Sequence, residues 1–225
     1  RKTACCLPSL ALAAALFVFG QPFHRLLAII LLFDFPLTLL TGAKKSAKEQ
    51  KLTPVNREKL LAYAGATWQF FSGLCGKENN FLPPDNVQLS PVSATAKRTS
   101  PTNIGLMLLS FLAARDLGFI TSQELYLRLE MSLKTVDMLE KFKGNLFNWY
   151  STEDCTVLEP RFISTVDSGN FLCSLTTLKE GLKEYYSECP SLAETAAKIE
   201  EIISNTDLAC LYNRRRKLFH IGIYP

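Results

Sequence analysis

The stretch Arg98-Thr99-Ser100-Pro101-Thr102-Asn103-Ile104-Gly105 separates a long polar loop from a predicted helix. Pro101 or Thr102 suits the first helical position, because proline has no amide hydrogen to leave unpaired there and its φ is already helical. Gly105 would let a neighbouring helix pack closely against this one. Polar loops carried on helix ends commonly form binding surfaces, so this stretch is the first place to expect a site.

Five amphipathic helices are predicted between residues 53 and 207, joined alternately by long and short loops. Three start signals support them, two of which have the spacing of a capping box: Thr53-Pro54, Thr121-x-x-Glu124 and Ser191-x-x-Glu194. The helix that follows Thr121 is expected to run to Lys143, before Gly144.

The two long loops, residues 77–101 and 145–170, lack apolar periodicity and are predicted to be irregular. A loop of this length in a compact domain usually has a function. Helical hairpins arranged in a ring place their long loops at one end, so both loops are expected at the site end. Five helices would leave such a ring incomplete.

Residues 209–223 are predicted to form a β-hairpin with a basic turn, because apolar strand formers flank Asn213 and the run Arg214–Lys217. The net charge is +4. The basic run is not interleaved with aromatic residues, which argues against nucleic-acid binding. A solvated turn is the preferred interpretation of the run.

Residues 1–52 are far more apolar than the rest of the chain and contain two apolar runs, Ala4–Gly20 and Leu26–Gly42. A signal peptide, a buried helical hairpin and a pair of membrane spans are the three interpretations, and the pair of spans is favoured. The lysines between Lys44 and Lys51 would then mark the cytoplasmic side. Asp34, inside the second run, would have to face protein or a polar cavity.

Metal and nucleotide chemistry find little support. The seven cysteines are scattered without a C-x-x-C pair, as expected of reduced and mostly buried thiols in a cytosolic compartment. His24 and His220 are the only histidines, so neither a histidine metal site nor a Cys–His nucleophile pair is predicted. No glycine-rich phosphate loop is present. We therefore expect no cofactor and no metal in this chain.

Two loop carboxylates, Asp167 and Asp85, are the candidates for acid–base or substrate-binding roles. Cleavage of glycosidic bonds usually needs two carboxylates about 5 to 10 Å apart. Asp167 is the better placed and is a weak catalytic candidate, but an N-cap role is an equally simple interpretation. For Asp85, a turn residue is the competing interpretation.

The remaining candidates for substrate binding are Arg98, Asn103, Trp149, Tyr150 and Asn170. Trp149 and Tyr150 would form a platform for the apolar face of a sugar. Aromatic residues of helical proteins are also common in the core, and that alternative stays open for Trp149. Arg98 would bind sugar hydroxyls or a carboxylate, with an ordinary surface arginine as its alternative.

The motifs together resemble the central part of cyclic β-1,2-glucan synthases, which are very large bacterial inner-membrane proteins. The resemblance covers about residues 25–224, with the motifs in order and matching in spacing. They are Trp68–Phe71, Asn80–Gln88, Arg98–Gly105, Ala113–Gly118, Gly144–Tyr150 and Ser164–Asn170. Two positions depart from the family, Ser151 where an Asp is frequent and Lys97 where a His is usual.

The resemblance implies a mainly α fold: an incomplete (α/α)6 toroid of helical hairpins from residue 53 to residue 225, of the glycoamylase-like type. Two transmembrane helices within residues 1–52 would precede it, and a short β-hairpin would end it. The chain would be a fragment located at the bacterial inner membrane, with its soluble part facing the cytoplasm. Its partners would be β-1,2-glucan, membrane lipid and the remainder of the parent polypeptide.

The activity that the resemblance implies is the polymerisation of glucose from UDP-glucose, followed by ring closure through transglycosylation. The principal catalytic acids would lie beyond Pro225, so the fragment alone is expected to be inactive. A different class remains open: a membrane-anchored helical carbohydrate-binding or scaffold protein without catalysis.

Overall fold

The computed structural model describes residues 7–42 and 52–225. The chain divides into two compact units, Arg1–Thr53 and Pro54–Pro225. The lysine cluster between Lys44 and Lys51, and Cys5 and Cys6, lie outside the described residues. The same holds for the side chain of Asp34.

The first unit contains two helices, α1 (Leu7–Phe19) and α2 (Pro22–Gly42), which pack against each other. Ala13 and Ala28 are fully buried, and most of the large apolar side chains described here are exposed. None of the helices in the described part of the chain combines the length and apolarity needed to cross a membrane. The predicted pair of spans is therefore not confirmed.

The second unit contains all five predicted helices. They are α3 (Pro54–Leu74), α4 (Pro101–Asp116), α5 (Ser122–Met138), α6 (Thr165–Leu182) and α7 (Ser191–Ser204). Helix α5 ends five residues before the predicted Lys143, because Leu139 is extended and the strand β4 (Lys141–Phe142) pairs with β5 (Asn145–Leu146). The mainly helical fold class is thus confirmed.

Serine and threonine side chains begin three of these helices. Ser100 accepts from the amide of Asn103, and Thr121 accepts from the amide of Glu124 at 3.1 Å, as the capping pattern predicts. Two predicted caps are wrong. The cap of α6 is Ser164, which accepts from the amide of Asp167, and Ser191 is itself the first helical residue of α7.

The predicted irregular loops contribute three strands to a four-stranded antiparallel sheet, so that part of the prediction is wrong. Its strands are, in spatial order, β10 (Gly222–Ile223), β7 (Val157–Ser164), β6 (Asn148–Ser151) and β3 (Arg98–Thr99). The register places Arg98 opposite Ser151 and Gly222 opposite Ser164. Because β3 and β10 pair with strands that lie far away in the sequence, local periodicity does not show this sheet.

Two further hairpins complete the secondary structure. Strand β1 (Val87–Gln88) pairs with β2 (Ala94–Thr95) inside the first long loop. Strand β8 (Tyr212–Asn213) pairs with β9 (Leu218–Phe219), which confirms the predicted C-terminal hairpin. Short 3-10 turns lie at Lys77–Asn79, Lys183–Tyr185 and Leu208–Leu211.

The core centres on α4 and α6, which run parallel. Asn170 donates to Thr102 at 3.2 Å near their starts, and a Cβ at Gly181 would clash with Leu112 near their ends. A Cβ at Gly105 would lie 2.8 Å from the Ser174 hydroxyl, so this glycine permits the close approach. Both helices therefore begin at the same end of the unit.

Candidate functional site

Asp85 is the centre of a polar cluster at the start of α4. Its Oδ2 accepts hydrogen bonds from Arg98 at 3.1 Å and from Asn86 at 3.0 Å. Its Oδ1 accepts from the side-chain amide of Asn103 at 3.1 Å. The Asp85 side chain is 18% exposed and that of Arg98 is 49% exposed. The carboxylate is therefore held as a partner of three donors, and the guanidinium faces solvent.

Arg98 also covers the ring of Trp149, with its guanidinium carbon 4.6 Å from the ring centroid. The two residues come together because β3 pairs with β6. Trp149 is half-buried, which places it at the edge of the core rather than in it. A guanidinium stacked on an indole loses little side-chain freedom when a ligand hydroxyl binds to it. Four of the predicted residues thus form one surface: Asp85, Arg98, Asn103 and Trp149.

The loop that carries Asp85 is fixed on the protein at several points. The Asn80 carbonyl accepts from Thr135 of α5 at 2.8 Å, and the Asn80 side chain donates to the Thr152 carbonyl at 2.9 Å. Pro83 and Pro84, directly before Asp85, are buried. Because proline also restricts φ, the approach of the chain to Asp85 is largely determined. The site is therefore preorganised by contacts that reach from α5 to Thr152, the residue after β6.

The start of α6 contributes the other two predicted residues. Asp167 is half-buried in the first turn, where a negative charge is favourable, and it is not the N-cap. Asn170 is exposed, and its hydrogen bond to Thr102 links α6 to the first turn of α4. The two helix starts thus bring Asn103 and Asn170 to the same end of the unit.

Tyr150 does not share this surface. Its side chain is fully buried, and its hydroxyl donates to the Glu140 carbonyl at 2.6 Å and accepts from the amide of Phe147 at 2.8 Å. Burial raises the pKa of Tyr150. The prediction that Tyr150 forms a sugar platform with Trp149 is therefore wrong in its placement, because successive strand residues point to opposite faces.

Polar atoms without a partner surround the same helix starts. Among the described residues, the buried hydroxyls of Thr99, Thr165 and Ser168 and the side-chain oxygen of Asn148 accept or donate no hydrogen bond. Buried polar groups are nearly always paired, so these four atoms are exceptions of the kind that a buried water satisfies. The sequence offered only a weak signal for them, since serine and threonine at helix starts are usually caps.

The arrangement suits the recognition of a neutral polyhydroxyl ligand. It offers a cation, side-chain amides and an aromatic ring around one carboxylate. In residues 7–42 and 52–225 no group of three or more His, Cys, Asp or Glu side chains could hold a metal ion. The two departures noted above lie beside the site: Lys97 pairs with Glu153, and Ser151 accepts from the Glu153 amide at 3.2 Å.

Comparison with known proteins assigns the family. Residues 62–220 match the family described as "Protein of unknown function (DUF3131)", and the chain belongs to that family. The chain is 39% identical over 187 residues to the cyclic beta-(1,2)-glucan synthase NdvB of Rhizobium meliloti (strain 1021). That match covers 82% of this chain and 6% of the relative. The resemblance seen in the sequence is thus confirmed.

Solved structures with the same fold carry the names of glucan-degrading enzymes. The endo-beta-1,2-glucanase from Chitinophaga pinensis superimposes with a TM-score of 0.64 at 13% identity, over 78% of this chain and 42% of that one. A glucoamylase-like protein from Bacteroides fragilis NCTC 9343 gives 0.62 at 15% identity, over 79% and 42%. The beta-1,2-glucanase from Parabacteroides distasonis gives 0.58 at 16% identity, over 72% and 22%. At these identities the likeness shows the fold alone.

Proposed function

We propose that this chain binds β-1,2-glucan through the surface formed by Asp85, Arg98, Asn103 and Trp149, as part of a carbohydrate-active enzyme of the cyclic glucan synthase type. The observation that carries the proposal is the stacking of Arg98 on Trp149 while Asp85 holds the guanidinium. The 39% identity to a cyclic β-1,2-glucan synthase supports this choice of glucan.

The finer architecture is part of the same proposal. The helical unit is one portion of an (α/α)6 toroid, and UDP-glucose is the donor used by the parent enzyme. The apolar hairpin of α1 and α2 would attach the protein to the inner membrane, with the helical unit in the cytoplasm. Its exposed apolar side chains support an apolar environment around the hairpin, among them Phe17 (51% exposed), Phe19 (88%) and Phe23 (75%).

The chain's own residues would bind and orient the glucan rather than cleave it. Both oxygens of Asp85 are occupied by donors, so of the two predicted carboxylates only Asp167 has room for an acid or base role. Because glycosidic chemistry usually needs two carboxylates, the second acid would come from another part of the parent protein. Ring closure by transglycosylation is therefore proposed for the parent enzyme only.

A second candidate is a membrane-anchored carbohydrate-binding or scaffold protein without catalysis. The saturation of Asp85 by three donors favours it, because such a carboxylate serves structure and binding better than proton transfer. The two candidates differ in one measurement. If the intact parent protein is an enzyme that uses this site, Asp167→Ala abolishes cyclisation and leaves glucan binding in place. A protein without catalysis has no cyclisation to lose.

The binding proposal is tested by titration calorimetry with sophorotriose and longer linear β-1,2-glucans. The unaltered chain is expected to release or absorb heat on binding, and Trp149→Ala to weaken binding about tenfold or more while its melting temperature changes little. Equal loss of affinity and of thermal stability would instead assign Trp149 to the core. Absence of binding by the unaltered chain would contradict the proposal.

A further inference from the structure

The C-terminal hairpin presents four consecutive cations at its tip. Strands β8 and β9 are joined by Arg214–Lys217, and the amide of Arg216 donates to the Asn213 side chain at 3.0 Å. Lys217 has a φ of 55°, which turns the chain back into β9. The turn is therefore ordered, and its geometry directs all four basic side chains away from the core, where each is exposed.

The base of the hairpin is fixed to the helical unit. His220 donates its amide to the Leu211 carbonyl at 2.9 Å, and the amide of Thr165 donates to the Ile221 carbonyl at 3.0 Å. The next strand, β10, pairs with the end of β7. Because Thr165 is the first residue of α6, the hairpin emerges beside the end of the unit where α4 and α6 begin.

Large apolar side chains lie next to the cations and are also exposed. Ile221 is 87% exposed, Tyr224 70%, Leu218 58% and Phe219 55%. Phe219 contacts Tyr212 across the hairpin, with ring centroids 5.2 Å apart. Within the described part of the chain, no salt bridge involves the cations of the run Arg214–Lys217. The hairpin thus combines unpaired positive charge with unburied apolar area.

We propose that this hairpin binds the surface of a membrane rich in anionic phospholipid. Cations within reach of the surface attract phosphate headgroups, and apolar side chains beside them enter the boundary between headgroups and acyl chains. A purely acidic polypeptide would satisfy the cations but would leave no apolar phase for Ile221 and Tyr224. A nucleic acid would need aromatics interleaved with the cations for stacking, and the tip has none.

This proposal does not depend on glucan binding. It adds a lipid contact in the helical unit to the attachment already proposed for α1 and α2. It would also bring the end that carries Asp85 and Arg98 close to the lipid surface, because the hairpin emerges at that end.

The test measures vesicle binding of the full chain by co-sedimentation, with phosphatidylcholine vesicles and with vesicles that also contain phosphatidylglycerol. The apolar hairpin of α1 and α2 contributes to both, so the ratio of the two partition coefficients is the readout. At low salt, Arg214→Gln with Arg215→Gln is expected to lower that ratio about 30-fold, since each basic residue near an anionic surface contributes roughly fivefold. High salt should remove most of the difference.

Control variants that make the same kind of change elsewhere on the surface test whether the location in the hairpin matters. Lys77→Gln with Lys134→Gln removes the same charge elsewhere on the surface and should leave the ratio unchanged. Ile221→Ser should weaken binding to the anionic vesicles about tenfold, and Leu89→Ser should not, although Leu89 is similarly exposed at 83%. Far-UV circular dichroism and sophorotriose binding verify that each variant is folded.

Three results would overturn the proposal. The first is equal binding of the unaltered chain to both kinds of vesicle. The second is an equal effect of the hairpin variants and their controls. The third is a loss of binding to polyglutamate in the arginine variant while its vesicle binding stays intact, which would assign the tip to an acidic protein. Sophorotriose binding that persists in the arginine variant would show that the glucan proposal stands separately.

Discussion

Asp85 determines the geometry of three neighbours at once, which makes it the residue most informative to change. It joins Arg98 from β3, Asn103 from α4 and Asn86 from its own loop. The pair with Arg98 is half exposed, so it contributes little to stability, typically below about 1 kcal/mol. Its contribution is the fixed direction of the guanidinium.

Asp85→Asn should therefore weaken glucan binding far more than folding. We expect the dissociation constant to rise about tenfold, because Arg98 loses its charged partner, while the melting temperature falls only slightly. Glu153→Gln is the matched control, since it removes the exposed partner of Lys97 on the adjoining turn. A variant with unchanged affinity would show that the orientation of Arg98 is unimportant for binding.

Residue-level prediction succeeded where the local sequence determines the role. Pro101 begins α4, as its pattern indicates. The N-cap interpretation of Asp167 failed, because Ser164 lies three residues earlier and caps the helix in its place. Residue-level prediction also failed for the placement of Tyr150, since the alternation that buries it appears only when the segment is known to be a strand.

At the scale of elements, the close contact between α4 and α6 depends on Gly105. A Cβ there would lie 2.8 Å from Oγ and 2.9 Å from Cβ of Ser174. Gly105→Ala should therefore destabilise the protein by about 1 to 3 kcal/mol in a denaturant titration, as overpacking usually does. Adding Ser174→Gly should recover at least about 1 kcal/mol relative to the sum of the single changes, because the clash is removed.

Gly169→Ala is the control for this pair. Gly169 lies in the first turns of α6, the helix that contains Ser174, and no atom lies within 4 Å of the Cβ it would gain. We expect this change to be neutral or to stabilise by about 0.4 to 1 kcal/mol through the unfolded chain. Alanine has a higher helix propensity than glycine, so helix propensity alone predicts a gain in both variants. A similar loss of stability in both would show that the close contact at Gly105 does not explain the effect.

The opposite ends of the helices are joined by a polar network around Glu188. Arg115 near the end of α4 donates to Glu188 at 2.6 Å, and Ser122 at the start of α5 donates to the same oxygen. These hydrogen bonds, first from Ser122 and then from Arg115, hold the pKa of Glu188 below its usual value. The folded state therefore binds fewer protons than the unfolded state at acidic pH.

Glu188 therefore stabilises the folded state at neutral pH and not at strongly acidic pH. The contribution of Glu188 is fully present above the ordinary glutamate pKa of about 4.3 and is lost as the pH falls through the lowered value. We expect Glu188→Gln to lower the melting temperature at pH 7 and to have no effect at strongly acidic pH. Glu184→Gln, an exposed change in the preceding turn, is the control. A difference that persists at acidic pH would contradict this role.

Elements were predictable where contacts are local. Helix α5 follows from the Thr121 cap and its leucine spacing. The sheet was not, because β7 pairs with β6 on one side and with β10, about 60 residues later, on the other. Pro160 in β7 further obscured the strand, since proline usually marks a loop. For the same reason, Arg98 and Trp149 were predicted as single residues but their contact was not, because it depends on the pairing of β3 with β6.

At the scale of the whole molecule, this chain covers 6% of the glucan synthase it resembles and 42% of the endo-β-1,2-glucanase. We therefore expect the purified chain to bind linear β-1,2-glucan without cleaving or cyclising it. Thin-layer chromatography and mass spectrometry of the glucan after prolonged incubation would check this. Turnover that survives in Asp167→Ala would point to contaminating enzyme, whereas turnover that Asp167→Ala abolishes would overturn the prediction.

The most direct test of the glucan site uses tryptophan fluorescence, because the chain has only two tryptophans, Trp68 and Trp149. Trp68 packs edge-on against Phe111 and is covered by Arg128, and Trp68→Phe leaves Trp149 as the sole reporter. We predict a saturable change in its emission with linear β-1,2-glucan, and none when Trp149→Phe leaves Trp68 alone. Emission that is unchanged in the Trp68→Phe chain, while calorimetry records binding, would place the glucan elsewhere and contradict the account.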